Sequence, residues 1–546
     1  MRSSFAIAVA ALTCPLALGA TVSAQADNPP ERLGEVHFPV SCQDVQIDFD
    51  RAVALQHSFW FGPADQAFRG IAAKDPQCGM AWWGAAMVAL GNPLAGAPSP
   101  AALKAGSEAV EKAKAAGAKS ERERGYIAAI EEFYRNAEKV PHKERALAYE
   151  TAMERLAAAH PDDREAKVFY ALSLNMTFNP TDKSYKNQLK AAGILETIFE
   201  TQPQHPGVAH YIIHSYDFPP IAAKGLKAAH LYSKIAPDAP HAQHMPSHIF
   251  TRVGSWQESI EANLTSSGFA MKEYAAKPSG GPLSNAYHAY DYMAYAHLQM
   301  AQDSAAKALA DKIVEIDTID YLHSVGALAA PYAIAAISVR YAIEREQWAE
   351  AAKLGLPPVK VGWEQWPQAV AIVAFGKGLG AARSGDLATA KASIAELAQL
   401  RDDLKAKKQA YWETQVGVQL ATIEAWSRFA AGETDEGLNA MRAAAEAEDK
   451  TEKHPVSPGP LIPARELLGD MLMAAGKHGK ALVAYEHSMK VEPNRFRGVA
   501  GAAVAAEAAG DKAKAEQLYR RLLELAADGE DSRPALKQAR AFLGVQ

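Results

Sequence analysis

Alternating β-branched runs of the kind that build sheets are nearly absent from this chain of 546 residues, and Ala, Leu, Glu and Lys dominate it instead. An all-α fold is the expectation. Lysine and arginine are nowhere clustered, and 57 of them face 63 acidic residues for a net charge of -6, so no nucleic-acid partner is expected. Beyond the first 26 residues no window holds the 18 or more apolar residues of a membrane span. There is no Gly-rich phosphate loop, no G-x-S-x-G elbow and no H-E-x-x-H pair, which removes the commonest signatures of phosphoryl transfer, serine hydrolysis and zinc proteolysis.

Cysteine is scarce, with only Cys14, Cys42 and Cys78. Residues 1–26 read as a cleavable export signal: Arg2 leads, Phe5 to Ala20 are apolar, and Ala24-Gln25-Ala26 forms a small-residue cleavage site before Asp27. Cys14 leaves with that segment. Export to the periplasm or beyond puts Cys42 and Cys78 in an oxidising compartment, where a disulfide between them is preferred over two buried free thiols.

What the chain does have is rhythm. An Ala, a large apolar residue and a closing Pro recur at fixed offsets: Ala64, Phe68, Ile71, Pro76; Ala191, Leu195, Ile198, Pro203; and Leu468-Gly469, Leu472, Ala481, Tyr485, Pro493, followed by Ala515 and Tyr519. Further units centre near Trp348–Ala351, Gly385–Ala390 and Gly432. The small residue lets two helices of a hairpin approach, the large one fills the space to the next hairpin, and the proline stops the second helix. After a lead-in at 27–43, repeats are expected over 44–330 and 331–546. Two Pro- and Gly-rich stretches, 268–284 and 452–463, break the rhythm and read as inserted loops.

On these residues the chain resembles the tetratricopeptide repeat (TPR) proteins, whose period is 34 residues. That resemblance implies an all-α, right-handed superhelical solenoid of stacked helix-turn-helix repeats, with the first helices lining a concave groove. Through HFPVSC (His37 to Cys42), AHYIIHSYD (Ala209 to Asp217), PHAQHMPSHIF (Pro240 to Phe250) and PARELL (Pro463 to Leu468) it also resembles a group of exported bacterial repeat proteins. No activity comes with that second resemblance.

Histidine is concentrated in one place. Seven of 17 fall between His205 and His248, and the pair His210/His214 recurs as His244/His248, one repeat period later. Spacing of four puts two rings on one helical face. In the TPR frame His210 and His244 take the fifth position, His214 and His248 the ninth, and His241 the second; the frame then brings in His288, Asp291 and Asp217 on the same wall. Pro246 leaves open whether His241, His244 and His248 share one helix. Neutral imidazoles with carboxylates nearby suit a transition metal, with zinc or copper the leading choices for an exported protein. His205 and His230 read as ordinary surface or capping residues, and His57 carries little weight.

Tyr211 and Tyr287 are expected at the groove, and Glu466, Asp470 and Arg465 are candidates for a carboxylate contribution from further along the superhelix. Three functions fit: a metalloprotein with open coordination, working as a hydrolase or oxidoreductase; a scaffold holding a peptide, protein or small molecule; and a metal-storage or delivery protein. Fold alone does not separate them.

Overall fold

The computed structural model describes residues 31–276, 280–319 and 328–545, with the side chains of 280–282 excepted. Residues 1–26, read from the sequence as an export signal, lie outside them. From Arg32 on, the chain forms one compact unit. It is an all-α solenoid of TPR-like helical hairpins; among the described residues there are no strands, only an isolated bridge between Thr318 and Lys360.

The repeat residues do what their pattern demands. Ala64, Phe68 and Ile71 are buried on Phe61–Lys74, and Ala191, Leu195 and Ile198 on Lys186–Thr201. The Tyr485 ring lies against Gly469 and Gly501, so close that a Cβ added at either would meet it at 2.6 and 2.4 Å. Here glycine is a packing requirement, because any side chain would push the two first helices off the ring.

The lead-in is irregular and tied down. Arg32 donates to Asp238, the Glu35 N–H to the Gln204 carbonyl, and Phe38 plugs a cluster of Phe49, Trp83 and Tyr126. Cys42 and Cys78 form a disulfide.

The expected loop at 268–284 is a correction. Helix Trp256–Ala276 runs through its first half and Gly280–Gln299 through its last, leaving 277–279 outside the described residues. Pro282 falls in a first helical turn, where a missing N–H breaks no hydrogen bond, so Gly280, Gly281 and Pro282 start a helix. Residues 452–463 have irregular backbone and form a strap, tied to Lys183, Asp217, Tyr292 and Arg340.

Candidate metal centre

Each histidine pair begins on a proline-led helix. Pro206–Tyr216 carries His210 and His214; Pro240–His244 and Pro246–Val253 carry the rest. Met245 between the last two is itself helical (φ -54°, ψ -36°), and its N–H donates to the His241 carbonyl at 3.0 Å. Pro246 removes one helical hydrogen bond without turning the chain, and His244 and His248 stay on one face.

Six histidines sort into two triads: His210, His214 and His241, then His244, His248 and His288. In each, one nitrogen per ring lies within 4.8 Å of the other two. The rule is simple. The fifth- and ninth-position pair of one repeat takes its third ring from the second position of the next. His241 and His288 are half-buried, and the other four rings are buried.

The rings are oriented from behind. His210 Nδ1–H donates to the His57 carbonyl at 2.6 Å, and His248 Nδ1–H to Asp217 Oδ2 at 2.8 Å. His244 Nδ1–H donates to Asn263 Oδ1 at 2.6 Å, and Asn263 Nδ2 donates in turn to the Ser259 carbonyl, which fixes the amide's orientation. With Nδ1 carrying the proton, the Nε2 atoms of His244 and His248 are both bare acceptors, and they face each other at 3.0 Å. Two acceptors do not bond to one another. They need a cation between them, and two imidazoles bound to one ion at about 2.0–2.1 Å stand roughly 3.0–3.4 Å apart. His210 Nε2 and His214 Nε2 repeat the 3.0 Å spacing. His241 Nε2 and His288 Nδ1 are buried without a hydrogen-bond partner.

A proton is a poor candidate for that cation. Burial pushes all six rings down from the ordinary 6.5, and neighbouring imidazoles push five of them further, while at His248 burial outweighs the opposing Asp217 carboxylate; His244 falls to about 3. The sign for stability follows. In the unfolded chain these rings protonate near pH 6.5, whereas in the fold they refuse the proton. Their contribution is complete above pH 6.5 and is lost as pH falls through the window toward the folded values, by about 1.4 kcal/mol per pH unit for each ring that stays neutral. The metal-free protein is therefore expected to hold a constant melting temperature above pH 7 and lose it steeply below pH 6. A flat thermal-melt profile down to pH 5 would contradict the neutral burial.

Around the triads lies an aromatic wall. Phe59 approaches His210 at 4.4 Å and His241 at 5.6 Å between ring centres, Tyr232 stacks on His210 at 5.1 Å, and Tyr292 packs on His244, His248 and His288. Phe59 has φ 51°, a left-handed backbone that is costly for an aromatic residue and is found where a site demands it. Nothing in the repeat pattern marks Phe59, Tyr232 or Asn263; their distance along the chain hides them, though the HSF run at His57 to Phe59 sits at a helix end.

Two expected carboxylates do other work. Asp217 is a support, not a ligand: it accepts from His248, from Arg252 Nε at 2.9 Å and from Lys453 Nζ at 3.0 Å. Burial opposes its ionisation, but Lys453, Arg252 and His248 hold its carboxyl well below the usual range. Asp291 turns away to Arg340 at 3.0 Å, because a buried guanidinium needs a counter-charge, and burial lifts its carboxyl to about 6. The C-terminal trio belongs elsewhere too. Glu466 pairs with Arg495, Asp470 with Arg383 and Arg497, and Arg465 with Asp449. Tyr287 is core, donating to the Ile313 carbonyl.

A third cluster shows what satisfied histidines look like. His57 and His205 each direct Nε2 to Glu165 at 2.9 Å, while Tyr211 OH bonds His57 Nδ1 and the Val208 N–H bonds His205 Nδ1. Every ring nitrogen is used, so this cluster is scaffold. It fixes the His57 backbone whose carbonyl aims His210, and it leaves room only for glycine at Gly207, where a Cβ would meet His57 Nδ1 at 2.5 Å. Tyr211 thus supports the site from beneath. His205 is a buried cap and scaffold residue, and His230 is an exposed partner of Glu258.

The strap closes one side. Tyr292 OH lies 3.4 Å from His248 Nε2 and donates to the Ser457 carbonyl at 3.2 Å, and Lys453 of the strap reaches Asp217. The strap also lines a cavity of about 740 Å³ with Tyr332, Phe375, Tyr411 and Trp412, and Arg252 and Lys453 border it.

Comparison with protein-family models gives no match, and neither does comparison with curated proteins. Among solved structures, Naa15/Naa10 bound to HypK-THB aligns at 11% identity over 91% of this chain and 90% of that one, with a TM-score of 0.25. A monomeric IFIT1 mutant with Gppp-AAAA aligns at 11% identity over 89% and 96%, with a TM-score of 0.34.

Proposed function

We propose that this chain is an exported helical-repeat metalloprotein that holds a transition metal, zinc or copper, on the histidines of its concave wall. One observation carries the reading: His244 and His248 present two bare nitrogens to each other at 3.0 Å, their protons committed to Asn263 and Asp217. Ligands anchored through their second nitrogen are the ordinary design of a protein metal site. The Cys42–Cys78 disulfide supports an oxidising compartment, and membership in the exported repeat group belongs to the same proposal. Three histidines per group leave coordination open, which suits a metal-dependent hydrolase or oxidoreductase better than saturated storage. A second reading, a groove for a peptide or small molecule, is favoured by the aromatic-lined cavity along the strap. Elemental analysis of protein purified from metal-replete medium separates the two. Near-stoichiometric zinc or copper is expected, and a metal-free protein that also fails to take up either ion on titration overturns the metal reading.

A further inference from the structure

Resting on that metal reading, we propose that the two triads bind two copper ions, one on each, as a single all-histidine centre. The nitrogens divide into two groups of three, each compact enough for one ion. The groups share a border: the rings of His214 and His248 are 6.0 Å apart, as are those of His241 and His244, and no other side-chain layer separates them. His241 belongs to the first triad yet sits one helical turn before His244 of the second. Two ions bound here are near neighbours.

The donor set selects copper. Paired iron and manganese sites in helical proteins are built with carboxylates, which offset the ions' charge. Here six neutral imidazoles supply none, and neither candidate carboxylate is in a histidine triad: Asp217 is held by His248, Arg252 and Lys453, and Asp291 has its charge paired with Arg340 through Oδ1. Two divalent ions would bring four charges into a buried site already bordered by Arg252 and Lys453, whereas two Cu(I) ions bring two. Copper is the metal that imidazole binds well in both states and that can arrive with the smaller charge.

The test is copper stoichiometry on the full mature chain. Metal-free protein titrated with Cu(I) against a chromogenic chelator should take up two ions. His210→Ala with His214→Ala should retain one, and so should His244→Ala with His248→Ala, each variant checked for its helical circular dichroism. After oxidation, the wild-type paramagnetic signal should integrate well below two spins through coupling, and each paired variant should recover one full spin. One ion in the wild type overturns the two-ion centre while leaving the metal reading intact. Two ions with two uncoupled spins overturn the single centre, and zinc uptake without copper uptake overturns the choice of metal. No uptake of any ion is the separate failure of the metal reading itself. The wild-type count decides even where a variant fails to fold.

Discussion

An Asp217→Ala variant is expected to lose about 3–5 kcal/mol of folding stability, the cost of leaving a buried charge without its partner. Asp217 is the carboxylate on which Arg252, Lys453 and His248 converge, and all four side chains are buried. The two cations respond differently. Burial already brings Lys453 down to about 8, so without Asp217 it sheds its proton and its charge. Arg252 cannot do so and keeps the backbone carbonyl of residue 217, 3.2 Å away, and Glu492, 3.7 Å away, neither of which replaces the lost carboxylate contact. A second effect is independent of stability: His248 loses the acceptor that points its Nε2 forward, which is expected to weaken metal binding by about 10–100-fold. Denaturant unfolding and a competition titration read the two effects separately. Unchanged stability would mean that the Asp217 hub is not formed.

Replacing His210 and His244 together with alanine is expected to strip the protein of metal while leaving its helical signal intact. Each substitution removes one of three nitrogens from a triad. Structural zinc sites with four ligands are worth about 10–16 kcal/mol, so one ligand accounts for roughly 3–4 kcal/mol, or two to three orders of magnitude in affinity. Metal content measured after dialysis and far-ultraviolet circular dichroism check the two halves of the result. Retained metal would assign the ligands elsewhere. The helices do not depend on these rings, because the Ala and aromatic contacts between hairpins hold the repeats.

The repeat frame was legible because its signals are local: an alanine, a large apolar residue four positions on, a proline to stop. The histidine pairs were legible for the same reason, and the frame extended them to His241 and His288 by position alone. What the pattern could not show was commitment. Asp291 sits on the expected wall, but its partner Arg340 is 49 residues away, and periodicity carries no information about which buried charge claims which. His57 looked ordinary because its role in aiming His210 runs through its carbonyl, which any residue has. Proline suggests a loop at 268–284 and a helix break at Pro246, yet Pro282 and Pro246 both fall in a first helical turn, where a helix tolerates them.

The strap has a mechanical consequence. In an open repeat array each unit touches only its neighbours, so the array behaves as a soft spring and can unravel from either end. Here Glu452 is gripped by Lys183, Lys453 by Asp217, the Ser457 carbonyl by Tyr292, and the Gly459 carbonyl by Arg340. These ties join residues up to 269 positions apart and turn the coil into a buckled belt. Such a chain resists stretching as a whole, gives way in one event when the buckle opens, and keeps the spacing of its two histidine triads free of the flexing that an unlatched solenoid would impose.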